Sequence, residues 1–149
     1  MQITNSTRLR TDSAYTPSFK YAPLKSRFQL TNSDRVGIEW LLSAGLTAEC
    51  PYPTLIEGFL RHKLRSSKSA PEPAPHDLVV PGRLVSYMTS GDKARRGKVT
   101  IIPNEDDGSI PVTSFLGATM LGMRKKQRMP LLREDSGIDI LVVLDVLDA

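Results

Sequence analysis

Reactive side chains are few in this chain and poorly grouped, which excludes most chemistry at once. The densest acidic run is Glu105-Asp106-Asp107-Gly108. Set as a calcium loop with Gly108 at its sixth position, it would put Pro103 at the first and Ser114 at the twelfth, where carboxylates are required, so it reads as a solvated turn. His62 and His76 have no cysteine or histidine at ligand spacing, so no zinc site is expected. Cys50 is the single cysteine, and its neighbours Glu49 and Pro51 offer no base to form a thiolate, so it reads as inert. A phosphate loop, a nucleophile elbow and a His-Glu-x-x-His pair are all missing. The sequence therefore calls for no catalytic residue, metal, cofactor or small-molecule substrate. What remains is binding chemistry. Arg124, Lys125, Lys126 and Arg128 form the densest basic cluster outside the N-terminal stretch and would face an acidic partner or RNA, or else lie in a solvated turn. Phe115, beside Thr113 and Ser114, is either an apolar interface anchor or a core residue.

The elements that position these residues follow from period and punctuation. Residues 109–124 read as a short strand with Ile110 and Val112 alternating, then a helix capped by Ser114. Leu116, Met120 and Leu121 form its inner face, and Gly122 stops it. Upstream, residues 31–45 read as a helix with a cap among Thr31, Asn32 and Ser33, with Asp34 in the first turn and Gly45 as the end. Val36, Trp40 and Leu41 share one face, with Ile38 and Leu42 beside it. A second helix runs from about Pro53 to Arg65, with proline at a favourable first position and Thr54 and Glu57 spaced as a capping box. Leu55 with Phe59, and Ile56 with Leu60 and Leu64, align along it. Two such helices on a short loop predict an antiparallel helical hairpin over 28–65, each arm about 16–20 Å long.

Residues 66–77 are a Pro/Ser-rich, extended connector and the predicted domain boundary. Strand chemistry fills 78–149: a strand over Leu78–Thr89, a turn at Ser90-Gly91-Asp92, a returning strand Lys98–Ile102, a short one near Met129–Arg133, and a long one over Ile138–Leu147. The last run is apolar on both faces, which predicts a central strand covered on both sides. The fold class is α+β: a short helical hairpin, then a mostly antiparallel half-barrel with one short helix.

The chain has 149 residues and a net charge of +4. Residues 1–27 carry five bases against one acid and read as a flexible basic tail with at most a weak contact to nucleic acid. The rest is near neutral, without a broad electrostatic footprint. No apolar run is long enough to span a membrane, the first residues do not form a secretory signal, and one cysteine fits a reducing cytoplasm.

Four segments in register carry a resemblance: Asp77-Leu-Val-Val-Pro-Gly-Arg-Leu-Val-Ser-Tyr87, Val99-Thr-Ile-Ile-Pro103, Ile110–Arg124 with its small-residue helix Leu116-Gly-Ala-x-x-Leu-Gly122, and Val143-Leu-Asp-Val-Leu147. Together they resemble the GreA/GreB C-terminal domain of the bacterial Gre transcript-cleavage factors. Within that superfamily the chain is most like the regulators of nucleoside diphosphate kinase, which put a short helical hairpin before the same domain. The resemblance spans roughly 28–149. It implies an FK506-binding-protein-like half-barrel and binding to RNA polymerase at the rim of the secondary channel. Thr113, Ser114, Phe115 and Leu116 are then the candidate contacts, with Arg124, Lys125, Lys126 and Arg128 as a candidate basic patch.

In the cleavage factors a long hairpin carries acidic residues at its tip, where they help hold the catalytic metal. Here the arms are short, and the tip offers only Glu49, while a metal held by carboxylates usually takes more than one oxygen donor. The expectation is a polymerase-binding regulator that does not stimulate cleavage. Regulation of nucleoside diphosphate kinase, or a nucleic-acid-binding module, are the alternatives. The chain departs from the family where Phe115 stands for proline and Lys126-Gln127 for Gly-Asp. Prolyl isomerisation, which such a half-barrel raises, lacks its aromatic lining: Tyr87 and Phe115 are the only rings in the second half.

Overall fold

The computed structural model of the protein describes residues 28–46, 50–102 and 108–147. The tail 1–27, the tip residue Glu49 and the acidic run 105–107 lie outside the described residues.

The first elements are a two-residue strand β1 (Gln29–Leu30) and helix α1 (Asn32–Ala44). Thr31 caps α1, its hydroxyl oxygen accepting from the Asp34 amide at 3.1 Å. Helix α2 (Pro53–Ser66) starts at its proline. No side chain caps it, and Glu57, expected in a capping box, pairs instead with Arg61 one turn on at 3.2 Å. The helices pack on each other, and the face α1 buries differs from the one its pattern suggested. Asp34, Ile38 and Leu41 point inward, whereas Val36 and Trp40 are 55% and 54% exposed. Apolar residues nearly encircle this helix, so periodicity leaves its orientation to the surface it docks on.

The connector after α2 is tied down rather than clear of the body. Strand β2 (Lys68–Ser69) runs parallel to β1. The Glu72 carboxylate accepts from the amide and hydroxyl of Ser33 at the start of α1, and Arg83 donates to the carbonyls of Ala74, Pro75 and Leu78.

Five further strands, β3 (Leu84–Thr89), β4 (Arg95–Thr100), β5 (Ser109–Pro111), β6 (Arg128–Leu132) and β7 (Ile138–Leu147), form one curled half-barrel sheet in the order β5-β4-β3-β7-β6. All neighbours are antiparallel except β4 and β5. The strand expected from Leu78 begins only at Leu84, because Leu78 makes an isolated bridge to Arg124 and the chain turns at 81–83. Helix α3 (Phe115–Met120) lies across the sheet, capped by Ser114, whose hydroxyl accepts from Gly117 N at 3.1 Å. Gly117 is required there: a Cβ would collide with the Pro111 carbonyl. Gly122, at φ 88°, reverses the chain against the Gln29 backbone.

One core joins the three helices to the inner face of the sheet. Val85, Val99, Leu141 and Val143 meet Ile38, Ile56, Leu60, Met120 and Leu121, nearly all fully buried. The expectation that β7 is covered on both faces is corrected. The strand is flanked by β3 and β6, but its outer side leaves Ile138 66% and Ile140 43% exposed, because every helix of the described residues lies on the other face.

Candidate functional site

The candidate contacts Thr113–Leu116 lie where β5 passes into α3, and the start of α2 lies against them. Their roles there differ. Thr113 is buried, and its carbonyl accepts from the Cys50 thiol at 3.4 Å. The Ser114 hydroxyl accepts from Gly117 N and donates to Pro111 O at 2.7 Å. Leu116 packs partly buried against the core. Phe115 is half-buried: one side meets the core, and its ring stacks on Tyr52 with centroids 5.3 Å apart and planes 22° from parallel. The stacked pair walls a cleft of about 110 Å³, completed by Pro51, Ile56 and Pro111, with Glu134 at its edge.

From this cleft an apolar row continues along α2. Tyr52, Leu55 and Phe59 fall at positions i, i+3 and i+7 and are 39%, 52% and 37% exposed. Periodicity pairs Leu55 with Phe59, but whether that pair faces the core or solvent follows from which side of α2 meets the sheet. Ile56 and Leu60 took the core side.

Further along α2, Lys63 fastens that helix to the end of α3. Its side chain is 1% exposed, and Nζ donates to the carbonyl oxygens of Ala118, Thr119 and Leu121 at the end of α3. The Phe28 ring lies 4.0 Å below the ammonium. Burial lowers the Lys63 pKa well below that of a free lysine. Three carbonyls, a helix C-terminus and an aromatic face all favour the charged form against that desolvation. A lysine on the apolar side of a helix, between Leu60 and Leu64, was the available signal.

The basic cluster 124–128 is divided. Arg124 makes a two-point contact with Asp77 at 2.8 and 3.3 Å and reaches Gln29; those hydrogen bonds hold the Asp77 carboxyl below its usual range. Lys125 pairs with Asp145 at 3.3 Å. Lys126 sits at φ 71°, its amide donating to Val143 O. Arg128 lies exposed on β6 opposite Val142.

A buried acid completes the titratable groups. Asp34 is 7% exposed, Oδ2 has no partner, and desolvation raises its pKa to about 6. Among the described residues no group of His, Cys, Asp and Glu is placed to hold a metal, and no helix is long and apolar enough to cross a membrane.

No family model and no curated protein matches the chain. Its fold is shared with a solved transcription elongation factor. The prokaryotic transcription elongation factor GreA/GreB from Nitrosomonas europaea matches 80% of this chain and 98% of its own at 15% identity, with a TM-score of 0.55. GreA factor homolog 1 (Gfh1) of Thermus thermophilus, at 14% identity and TM-score 0.38, matches 80% of this chain and 98% of its own. Gfh1 of Thermus aquaticus, at 12% and 0.40, matches 81% and 98%. Both superpose too loosely to add to the likeness, which concerns the fold and not the activity.

Proposed function

We propose that this chain is a regulator of bacterial transcription elongation that binds RNA polymerase at the rim of the secondary channel and does not stimulate transcript cleavage. The observation that carries the reading is the Tyr52–Phe115 cleft and the exposed row Leu55–Phe59 beside it, on a fold shared with a GreA/GreB factor. A stacked aromatic pair beside a small cleft, with polar backbone close by, suits the anchor side chain of a protein partner. Phe115 is the contact, Leu116 packs against the core beside it, and Thr113 and Ser114 hold the turn that presents it.

The same geometry supports action by occupancy. Helices of 13 and 14 residues are about 20 Å long. As a helical hairpin on an FK506-binding-protein-like half-barrel, they are short for probing a deep channel. They are also fastened to the body: Cys50 is buried against Thr113, and Lys63 against the end of α3. Such a chain competes with longer Gre-type factors for the rim.

The test is co-purification of core RNA polymerase with the tagged chain. Phe115→Ala and, separately, the more exposed Tyr52→Ala are each expected to weaken the complex on the order of tenfold, with an unchanged far-UV spectrum. Full-strength complexes with both variants, or none with the wild type at micromolar protein, overturn the reading. Stalled elongation complexes are expected to show no added cleavage.

A further inference from the structure

The basic surface most open to a ligand is not the cluster at 124–128. Lys93, Arg95, Arg96 and Lys98 place four cations within six residues, and all four are exposed. None has an ion pair with another described residue, whereas Arg124 and Lys125 have carboxylates of their own. Residues 28–149 are formally neutral, so the rest of that span is acidic by four charges.

Their placement follows from the strand they sit on. Gly97 and Val99 of β4 face the core, so Arg96 and Lys98 stand on the open face, with α-carbons about 6.6 Å apart. Arg95, opposite Tyr87, lies on the other side. β5 pairs with β4 only over 98–100, so along 95–97 β4 is the edge of the described sheet. The cations therefore fan out from a strand edge at the base of a β-hairpin, with Lys93 nearer its tip. The residues facing them on β3, Leu84 to Tyr87, bring no carboxylate. Asp92 in the hairpin turn accepts from the Thr89 hydroxyl at 3.2 Å, and Asp145, across Ser86 from Arg96, pairs with Lys125.

We propose that this strip, Lys93–Lys98, is a contact for the phosphate backbone of nucleic acid. A row of uncompensated Lys and Arg at a strand edge complements a regularly spaced polyanion. The one aromatic ring beside it, Tyr87, is 7% exposed. No base can stack there, so binding is independent of sequence. The strip is separate from the Tyr52–Phe115 cleft and does not depend on the function proposed for it.

The test uses the full chain and fluorescence anisotropy with a labelled single-stranded RNA and a duplex DNA of unrelated sequences, each about 20 nucleotides or base pairs long, across a salt series. Four phosphate contacts predict that log affinity falls with log salt at a slope of about −3 on the single strand. The variant K93Q/R95Q/R96Q/K98Q is expected to lose about tenfold or more in affinity at low salt and most of that slope. Phe115→Ala should bind RNA as the wild type does. A tail variant, R8Q/R10Q/K20Q/K25Q, separates the two basic regions: loss of binding there, with the strip variant unchanged, overturns the proposal. So does a strip variant that binds nucleic acid normally but loses RNA polymerase, which would make the strip a protein contact. A strip variant that only self-associates would assign the cations to guarding a bare edge, and equally overturns it.

Discussion

The two faces of the five-stranded sheet are made by the same strands and have opposite fates. On the inner face, Val85, Val99, Leu141 and Val143 are sealed by three helices, and even a lysine is drawn in, because Lys63 finds three carbonyls at the end of α3. On the outer face, Met88, Ile138 and Ile140 stay exposed, and Arg96 and Lys98 stand on the same face without an ion pair to another described residue. Alternation within each strand sorts residues between faces, but does not say which face receives a cover. In this chain the cover is set by α1 and α2, which arrive from upstream and are fastened by the Lys63 and Cys50 contacts.

The contrast can be broken hardest at Lys63. Lys63→Met keeps most of the apolar stem but leaves the Ala118, Thr119 and Leu121 carbonyls without their donor. It is expected to cost about 3 kcal/mol of unfolding free energy in a urea titration. A loss under about 1 kcal/mol would mean the helices are held by apolar contact alone.

Asp34 tests the same buried side with the opposite sign. Its folded pKa of about 6 lies above the ordinary 3.8, so the folded state prefers the protonated acid. Stability from this group is present below the unfolded value and is lost as pH rises through about 6. Asp34→Asn should therefore stabilise the fold by roughly 2 kcal/mol at pH 7 to 8, and the gain should vanish near pH 4. A gain that does not change with pH would place its cause elsewhere.

The two basic clusters come next. Arg124→Gln removes a partly exposed, two-point contact that ties β1 and the connector to the sheet, and should cost about 1 kcal/mol. Arg96→Gln on the open face should change thermal stability by less than about 0.5 kcal/mol. Equal losses would show that Arg96 has a structural partner after all. The smallest effect is expected at Ile140, where threonine should leave stability within about 0.5 kcal/mol of wild type. A larger loss, or a change in oligomeric state by light scattering, would mean that the outer face is covered in solution.

Where punctuation and period are local, the sequence was easy to read. Thr31 and Ser114 cap helices because a hydroxyl at that position satisfies an otherwise unpaired amide. Pro53 opens a helix because it lacks a donor that the first turn does not use. The apolar run Ile138–Leu147 marks its strand to the last residue. The turn that presents Phe115 followed from the same grammar, with Ser114 as cap and Gly122 as stop.

Orientation was not legible. The pattern of α1 puts Val36 and Trp40 on its inner face, yet both face solvent, while the charged Lys63 is buried. A helix carrying apolar residues around most of its circumference has no orientation of its own until a sheet offers it a surface. Nor could four charges in a row announce whether they are neutralised. Arg124 meets Asp77 across 47 positions, and among the described residues no such partner comes to Arg96. Charge and propensity are properties of residues close in the chain. Burial, pairing and exposure are properties of residues brought together from far apart, and here they decided which aromatic pair lines a cleft and which cations remain available to a partner.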